Sequence, residues 1–464
     1  MASISNLWKF YTFFGGKHHL IEQRLHERYG NIIRNGPNSL NFSSLASFEA
    51  IYGFNKSFEK GNFYVFGRDV QAQKEMGNIF SARTDAIHRE RKRKVVGSAF
   101  TTTKVVRYET VISKNVSVLL GRLIELKCSA QDESTINIAE TLNRFTFDTL
   151  TEIVYGDSMC PQPYSDLPQA DGVMKAFKEL GKFAWGGSLL PWFGKLMSTP
   201  FIVSLIRRPT LDSAGNFTGI AALAAKSREI IMTRPEKALE SSQGSILKNF
   251  LEVPEDDSKH MPPDQIFREC FNLMVAGPGS TAAGLISVLY QLAVEDGHQW
   301  QDSIRSDVNE DGSIPTSSPI LTAVIKETLR LYAPFPTAFP RVITAGAESA
   351  IPGISAPLPL GTTVEANSYI LGHSKEIWGG DAEIWKPQRW LGTSIERKEL
   401  EDKFVVFSKG ARSCIGKEIA WLEIAKATIA VLQEWKIDAK EGALKGDNFL
   451  EMQYKECRIS LSKR

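Results

Sequence analysis

The stretch FSKGARSCIG, from Phe407 to Gly416, carries one cysteine that follows an arginine by two positions and lies between two glycines. Downstream of Cys414, apolar residues recur at helical spacing as far as Leu432, so the cysteine is expected at or just before a helix N-terminus. The free N–H groups and dipole of such an end favour an anion. Because a thiolate forms only where its pKa is lowered, this setting predicts that Cys414 is a metal ligand.

Other residues of the stretch suit a flat, acidic ligand beside the sulfur. Gly410 and Gly416 let the backbone turn tightly and approach a flat group without a Cβ in the way. Arg412 can pair with a carboxylate. A lone cysteine in a glycine turn would more often be a buried structural residue, but the whole pattern favours the ligand interpretation.

The pattern Phe-x-x-Gly-x-Arg-x-Cys-x-Gly, at Phe407, Gly410, Arg412, Cys414 and Gly416, resembles the haem-binding signature of the cytochrome P-450 superfamily of haem-thiolate monooxygenases. The resemblance implies a mainly α fold with a small β-rich subdomain, haem b as cofactor and Cys414 as its axial thiolate. It also assigns Phe407 and Gly416 to the haem site. One large domain over 1–464 is expected, β-rich mainly at 31–60 and 335–370 and helical mainly at 80–330 and 414–435.

Composition excludes several other classes of protein. The chain has 464 residues, of which 42% are hydrophobic and 23% charged, as in an ordinary globular protein. Its net charge of only +2 gives no indication of nucleic-acid binding. The five cysteines are widely spaced and form no CxxC pair, which argues against a disulfide framework, a zinc site and an iron–sulfur site. They are Cys128, Cys160, Cys270, Cys414 and Cys457.

Two apolar regions are relevant to whether the protein associates with a membrane. The run Leu7 to Phe14 is too short to span a bilayer, whereas eukaryotic members of the resembled family usually carry an N-terminal anchor. We therefore expect a native anchor ahead of Met1 and a place on the cytoplasmic face of the endoplasmic reticulum. The apolar region from Leu189 to Ile206 is interrupted by prolines, and it predicts either a lid that dips into the membrane interface through Trp192 or a buried helix pair.

A basic run from His88 to Lys94 would by itself be a solvated helix face. Anchored on Phe100, it resembles the family helix that donates an aromatic or histidine and an arginine to the haem propionates. The resemblance favours Arg93 for this role over His88 and Arg89. It assigns a second propionate contact to Arg341 and a third to Arg412.

A central helix is predicted from Asp264 to Ala293, with AGPGST at residues 276–281 in its middle. Pro278 cannot donate to the carbonyl of Met274, so the helix should be distorted there. Such a defect in a buried helix indicates a functional site.

The family places an acid and a threonine at this point, where they help deliver protons for O–O cleavage. Here Gly279 replaces the acid and Ser280 the first threonine, while Thr281 is kept. Serine retains a hydroxyl, but glycine carries no proton. We assign the transfer of protons to Ser280 and Thr281, with ordered water or a substrate hydroxyl group as the relay. The alternative is that the enzyme does not carry out ordinary oxygen activation.

The segment AVIKETLRLYAP puts Glu327 and Arg330 three residues apart on one helix face among apolar neighbours. This spacing resembles the family's Glu-x-x-Arg motif, and the resemblance implies that Arg389 completes a buried triad. His373 is interpreted as a structural histidine in preference to a second axial ligand. The substrate pocket is expected to include five apolar or small residues, namely Phe66, Met274, Gly277, Phe339 and Phe449.

The resemblance implies a monooxygenase of the eukaryotic microsomal type that inserts one atom of O2 into a small molecule in secondary metabolism, and the apolar residues expected in the pocket favour a lipophilic substrate. Because no flavin or iron–sulfur motif is present, an NADPH-dependent reductase should supply the electrons, docking near Arg91, Lys409 and Lys417. Gly279 leaves open a haem-thiolate rearrangement, dehydration or peroxide-using reaction. A haem sensor or carrier without turnover is a further alternative, and a Cys414 hydrolase is a weaker one.

Overall fold

The computed structural model describes residues 4–54, 58–67, 77–130, 135–156, 163–166, 170–190, 199, 219–233, 235–240, 244–309, 314–345 and 351–463. Within these residues the protein is mainly helical with small sheets, as the sequence predicted. The helices are α1 (Leu7–Phe14), α2 (His18–Tyr29), α3 (Leu45–Tyr52), α4 (Asp85–Ala99), α5 (Thr102–Ser129), α6 (Ala139–Tyr155), α7 (Ala170–Leu189), α8 (Gly219–Arg228), α9 (Pro235–Glu240), α10 (Ile246–Leu251), α11 (Pro263–Ala276), α12 (Pro278–Ala293), α13 (His298–Ser306), α14 (Pro319–Leu331), α15 (Ser368–His373), α16 (Lys375–Trp378), α17 (Ser394–Lys403) and α18 (Lys417–Glu434).

Helix α12 is the centre of the core. Its residues from Thr281 to Ala293 are all buried, and the helix packs against α6, α14, α18 and the last strand. A helix that is apolar on every side is stable only inside a protein or a membrane. Among the described residues, one helical stretch, Pro263–Ala293, has the length and apolarity needed to cross a membrane, and 72% of its most apolar window is buried within the protein, as in a core helix.

The predicted defect in the central helix is present. Helix α11 ends at Ala276 and α12 begins at Pro278, with Gly277 between them at φ −95° and ψ −52°. The hydroxyl of Ser280 donates to the carbonyls of Ala276 at 3.0 Å and of Gly277 at 3.1 Å. Side-chain bonding to the backbone of the preceding turn commonly accompanies a bent helix.

The first sheet has the order β1-β2-β6-β5-β3, and only β2 and β6 run parallel. Its register places Lys60 directly opposite Arg341, so two cations share one edge of the sheet. The strands are β1 (Ile32–Gly36), β2 (Ser39–Phe42), β3 (Glu59–Lys60), β5 (Arg341–Val342) and β6 (Thr363–Ala366).

The second sheet has the order β4-β9-β7, and β8 pairs with β9 in a hairpin whose tip is Leu450. Ile136 and Asn137 pair with β9. The Asn137 side chain accepts the N–H groups of Cys457 and Ala139, so helix α6 starts only at Ala139. The strands are β4 (Ile136–Asn137), β7 (Trp435–Asp438), β8 (Leu444–Phe449) and β9 (Glu451–Lys463).

Candidate active site

The loop that carries Cys414 is held by its backbone. The Cys414 N–H donates to the carbonyl of Phe407 at 2.9 Å, and Ser408 and Gly410 adopt left-handed φ values of 59° and 71°. A Cβ added to Gly410 would lie 2.4 Å from the carbonyl oxygen of Tyr52, so glycine is required there on two grounds. The loop therefore has one fixed conformation, which ends where α18 begins.

The Cys414 thiol lies in a recess at the N-terminus of α18. Its side chain is exposed, yet the surrounding protein is dense enough that burial raises the pKa of the thiol. Hydrogen bonds from the backbone of Gly416 and Lys417, and the Lys417 charge, act against that rise. A bound cation would shift the balance to the thiolate. No cluster of three or more His, Cys, Asp or Glu side chains that could hold a metal occurs among the described residues.

Three buried cations lie together near this loop. The Arg412 guanidinium donates to Asp85 at 2.6 Å, but its Nε is buried without a partner. Arg341 donates to the Tyr64 hydroxyl at 2.6 Å, and Lys60 donates to the carbonyl of Phe80 at 2.7 Å.

This group of cations has a surplus of positive charge. Burial lowers the pKa of Lys60 well below its usual value, and the charges of Arg341 and Arg412 lower it further. Burial also lowers the pKa of Arg412, again with Arg341 acting in the same direction. Cations that repel one another in a buried place suit a ligand with more than one carboxylate.

Helix α4 presents a different face to the Cys414 loop from the one predicted. His88 and Lys92 contact the carbonyl of Ala411, at 3.3 Å and 2.7 Å. Arg93 is exposed and donates to the carbonyl of Ser258 at 3.4 Å, so the structure does not bring it to the loop. Arg89 is also exposed. The predicted register was therefore one residue late, although the four-residue spacing from His88 to Lys92 was visible in the sequence.

The predicted triad is assembled behind the loop. Glu327 accepts hydrogen bonds from Nη2 of Arg330 at 2.8 Å and from Nε of Arg389 at 2.9 Å. The Glu327 and Arg330 side chains are 0% and 1% exposed. Arg330 also donates to the carbonyl of Ala382 at 2.6 Å, so the triad ties α14 to the segment that follows α16.

The predicted pocket residues fall into two groups. Phe339 and Phe449 pack with a cluster of buried aromatic rings that includes Phe63 and Trp185. Met274 and Gly277 belong to the central helix, where a Cβ on Gly277 would lie 2.4 Å from Leu150. The Phe66 side chain lies outside the described residues, as does most of the proposed lid, including Trp192.

The remaining predicted positions also have defined places. Phe407 packs against the main core and lies under the Lys417 ammonium at 5.9 Å. Among the described residues, apart from its two chain neighbours, none has an atom within 4 Å of a Cβ built on Gly416, so space is open there. His373 bonds to the carbonyl of Tyr369 at 2.9 Å and lies against its ring, which fits the structural interpretation. The Thr281 hydroxyl has no hydrogen bond within the described part of the chain.

Comparison with known proteins decides the family. The model of the family "Cytochrome P-450" matches residues 3–452. The chain belongs to the cytochrome P-450 family. The family implies a haem-thiolate cofactor, and the recess fits it, because an accessible cysteine, open space beside Gly416 and surplus buried cations match the metal, plane and carboxylates of a haem.

Curated relatives of this P-450 include several fungal enzymes. The P-450 monooxygenase mpaDE of Penicillium roqueforti is 28% identical over 453 residues, which cover 94% of this chain and 51% of the relative. The P-450 monooxygenase esdpH of Penicillium shearii is 27% identical over 94% of this chain and 87% of the relative. The P-450 monooxygenase pkfB of Emericella nidulans is 24% identical over 94% of this chain and 85% of the relative. The chain spans about half the length of mpaDE.

Besides Lys92, two further residues of this P-450 site were missed by the sequence reasoning. Lys60 comes from a two-residue strand, and only pairing with Arg341 brings it to the site, so no local signal was available. Tyr64 follows in a short 3₁₀ segment and supplies the hydroxyl that Arg341 binds.

Proposed function

We propose that this protein is a haem-thiolate monooxygenase that inserts one oxygen atom of O2 into a lipophilic small molecule in fungal secondary metabolism. The observation that carries the proposal is the recess in which Cys414 lies exposed at the N-terminus of α18, in a loop fixed by Ser408 and Gly410. The fungal P-450 relatives support the metabolic assignment.

The chain's own residues have separate roles in this scheme. Cys414 would hold the haem iron, while Arg412, Arg341 and Lys60 would bind its carboxylates together with Lys92. When bound, the haem supplies the activation of dioxygen. The aromatic cluster around Phe449 excludes water and favours an apolar substrate.

The hydroxyls of Ser280 and Thr281 would pass protons to the reacting oxygen. The Ser280 hydroxyl already donates to the carbonyls at the helix break, so its oxygen lone pairs remain to accept a proton or hydrogen bond. The buried Thr281 hydroxyl forms no hydrogen bond to the described residues, so its proton can be donated to water or substrate.

The electrons would come from an NADPH-dependent reductase. Lys417 is exposed, and Lys409 is half-buried and donates to the carbonyl of Asp402 at 2.6 Å. Arg91 points inward and bonds to Glu269 at 3.4 Å, with 11% of its side chain exposed. The docking face would therefore use Lys409 and Lys417 without Arg91. We place the protein at the cytoplasmic face of the endoplasmic reticulum, where such reductases act, and fractionation of the tagged native protein would check this.

The decisive experiment is the carbon monoxide difference spectrum of the reduced protein. We expect the thiolate-type band in the wild type and in Cys128→Ala, which removes an exposed cysteine elsewhere. Cys414→Ala should lose the band because no other described residue offers a thiolate in the recess. A band that survives in Cys414→Ala would refute the assignment.

A second function is favoured by Gly279, which lacks the usual acid. The same haem site could catalyse a rearrangement, a dehydration or a reaction with peroxide. These reactions do not require the protons and reductase electrons that a monooxygenase needs to activate dioxygen. Turnover without reductase and NADPH would select this alternative.

A further inference from the structure

The carboxylate of Glu451 lies where a side chain on Gly279 would begin. A Cβ built on Gly279 would be 2.1 Å from Oε1, 2.6 Å from Cδ and 2.7 Å from Oε2 of Glu451. These separations are shorter than any van der Waals contact, so a side chain at 279 and the present position of Glu451 exclude each other. The glycine that removes an acid from the central helix therefore makes room for an acid from the C-terminal hairpin.

The hairpin is held so that Glu451 faces the central helix. Leu450 at the tip has φ +85°, which turns the chain sharply between β8 and β9. On the far side of Glu451, Met452 donates its N–H to the carbonyl of Pro334 at 2.8 Å, and Gln453 donates to the carbonyl of Lys178 at 2.8 Å. These bonds join the hairpin to α7 and to the segment after α14.

Glu451 and the break in the helix line the same small cavity of about 40 Å³. A volume of roughly 10–15 Å³ on this measure is enough for one water molecule, provided that polar groups surround it. Glu451 and Lys178 are the titratable groups among its lining residues, and Gln453 adds an amide. The wall towards the central helix is formed by Met274, Pro278 and Gly279.

The carboxyl group of Glu451 is suited to hold and release a proton. Burial raises its pKa to about 7, and the Lys178 charge acts in the opposite direction. No hydrogen bond to Glu451 side-chain oxygens is present in the described structure. A carboxyl group that is part-protonated near neutral pH serves best as a general acid.

We propose that Glu451 supplies from the hairpin the proton-carrying carboxyl group that position 279 lacks, acting through water in the cavity on the hydroxyls of Ser280 and Thr281. The inference rests on the monooxygenase function proposed above. Each turnover takes up two electrons from the reductase and two protons from water, and it leaves one oxygen atom in the product and one in water. Glu451 gives a proton to the cavity water and is reprotonated from solvent on the Lys178 side.

The first test is infrared difference spectroscopy of the ferric protein during a pH titration. Burial also raises the pKa of Glu269 to about 7, so two carboxyl groups should contribute to the protonated carboxyl absorption that titrates near pH 7. We expect this absorption to lose the Glu451 share of its amplitude in Glu451→Gln. The matched control Glu456→Gln lies on the same strand, where Glu456 forms an exposed pair with Lys445, and it should keep the full amplitude. An amplitude in Glu451→Gln equal to that of the wild type overturns the proposal.

The second test moves the acid back to the helix. Gly279→Asp alone must displace the Glu451 carboxyl group and places a second carboxyl group beside it in a buried site, so it should lower thermal stability. Glu451→Ala should remove that effect in the double variant. With NADPH and a reductase, Glu451→Ala should release several-fold more hydrogen peroxide per electron consumed. The double variant should return towards the wild-type ratio, whereas an unchanged ratio in Glu451→Ala would contradict the proton role.

The two proposals fail in different ways. All Glu451 and Gly279 variants should keep the thiolate-type carbon monoxide band, because none of them touches the Cys414 loop. Loss of that band in the wild type would reject the haem-thiolate function, while the infrared titration would still report on Glu451. A normal band combined with wild-type peroxide release in Glu451→Ala would reject only the proton relay.

Discussion

Replacing Glu327 by glutamine tests whether the buried triad stabilises the fold. The Glu327 carboxylate accepts five hydrogen bonds of 2.8–3.0 Å. The donors are Nε and Nη2 of Arg330, Nε of Arg389, the backbone of Lys386 and Nε1 of Trp390. Glutamine has nearly the same shape, so the variant removes the negative charge without opening a cavity.

The expected loss of stability is large because the charges are buried. Burial alone would raise the pKa of Glu327, but the hydrogen bonds and charges of Arg330 and Arg389 outweigh it and lower that pKa. Removing one partner of a buried pair leaves an uncompensated charge, at a cost on the order of 3–5 kcal/mol. Arg330, 1% exposed, would be that charge.

Urea unfolding of the holoprotein, followed by circular dichroism, measures the effect. The matched control is Glu401→Gln. Glu401 is exposed and pairs with Lys326, which lies on the same helix as Glu327. A surface pair contributes about 0–1 kcal/mol, so the control should remain near the wild type. If Glu327→Gln lowered the free energy of unfolding by no more than the control, the buried-triad reasoning would be wrong.

Three further predictions follow from the site. Arg412→Gln should weaken haem binding at least several-fold in a haem titration, whereas Arg93→Gln, on the surface, should leave it unchanged. Gly410→Ala should lower the unfolding midpoint and haem retention, because it combines a φ of 71° with a 2.4 Å contact, and a wild-type midpoint would contradict the loop geometry. Glu451 has a folded pKa raised to about 7 from 4.5, so its stabilising contribution is complete below pH 4.5 and is lost as the pH rises through 7. The melting temperature of Glu451→Gln relative to the wild type should therefore increase from pH 5 to pH 8, and a constant difference would refute this.

Several features could be predicted from the sequence because neighbouring residues create them. Pro278 breaks the central helix wherever that helix lies, since it lacks an N–H. Glu327 and Arg330 share a helix face by their spacing alone. The Cys414 loop follows from two glycines and a helix start. These are local consequences of backbone geometry, and the structure contains each of them.

Register and long-range pairing could not be predicted in the same way. The choice of Lys92 over Arg93 depends on how α4 is rotated against the Cys414 loop, and a rotation by one residue moves a side chain by 100° around the helix. Lys60 reaches the site only through its pairing with Arg341.

The sequence by itself determined the family and the absence of an acid at position 279, and it predicted Cys414 as the thiolate ligand. Only the tertiary structure decided what occupies the space left by that glycine. Glu451 follows a hairpin tip far along the chain, and its carboxylate meets the central helix because β9 packs against α12 and Gln453 bonds to α7. No local pattern encodes such a contact, since it depends on how two separate elements pack in space.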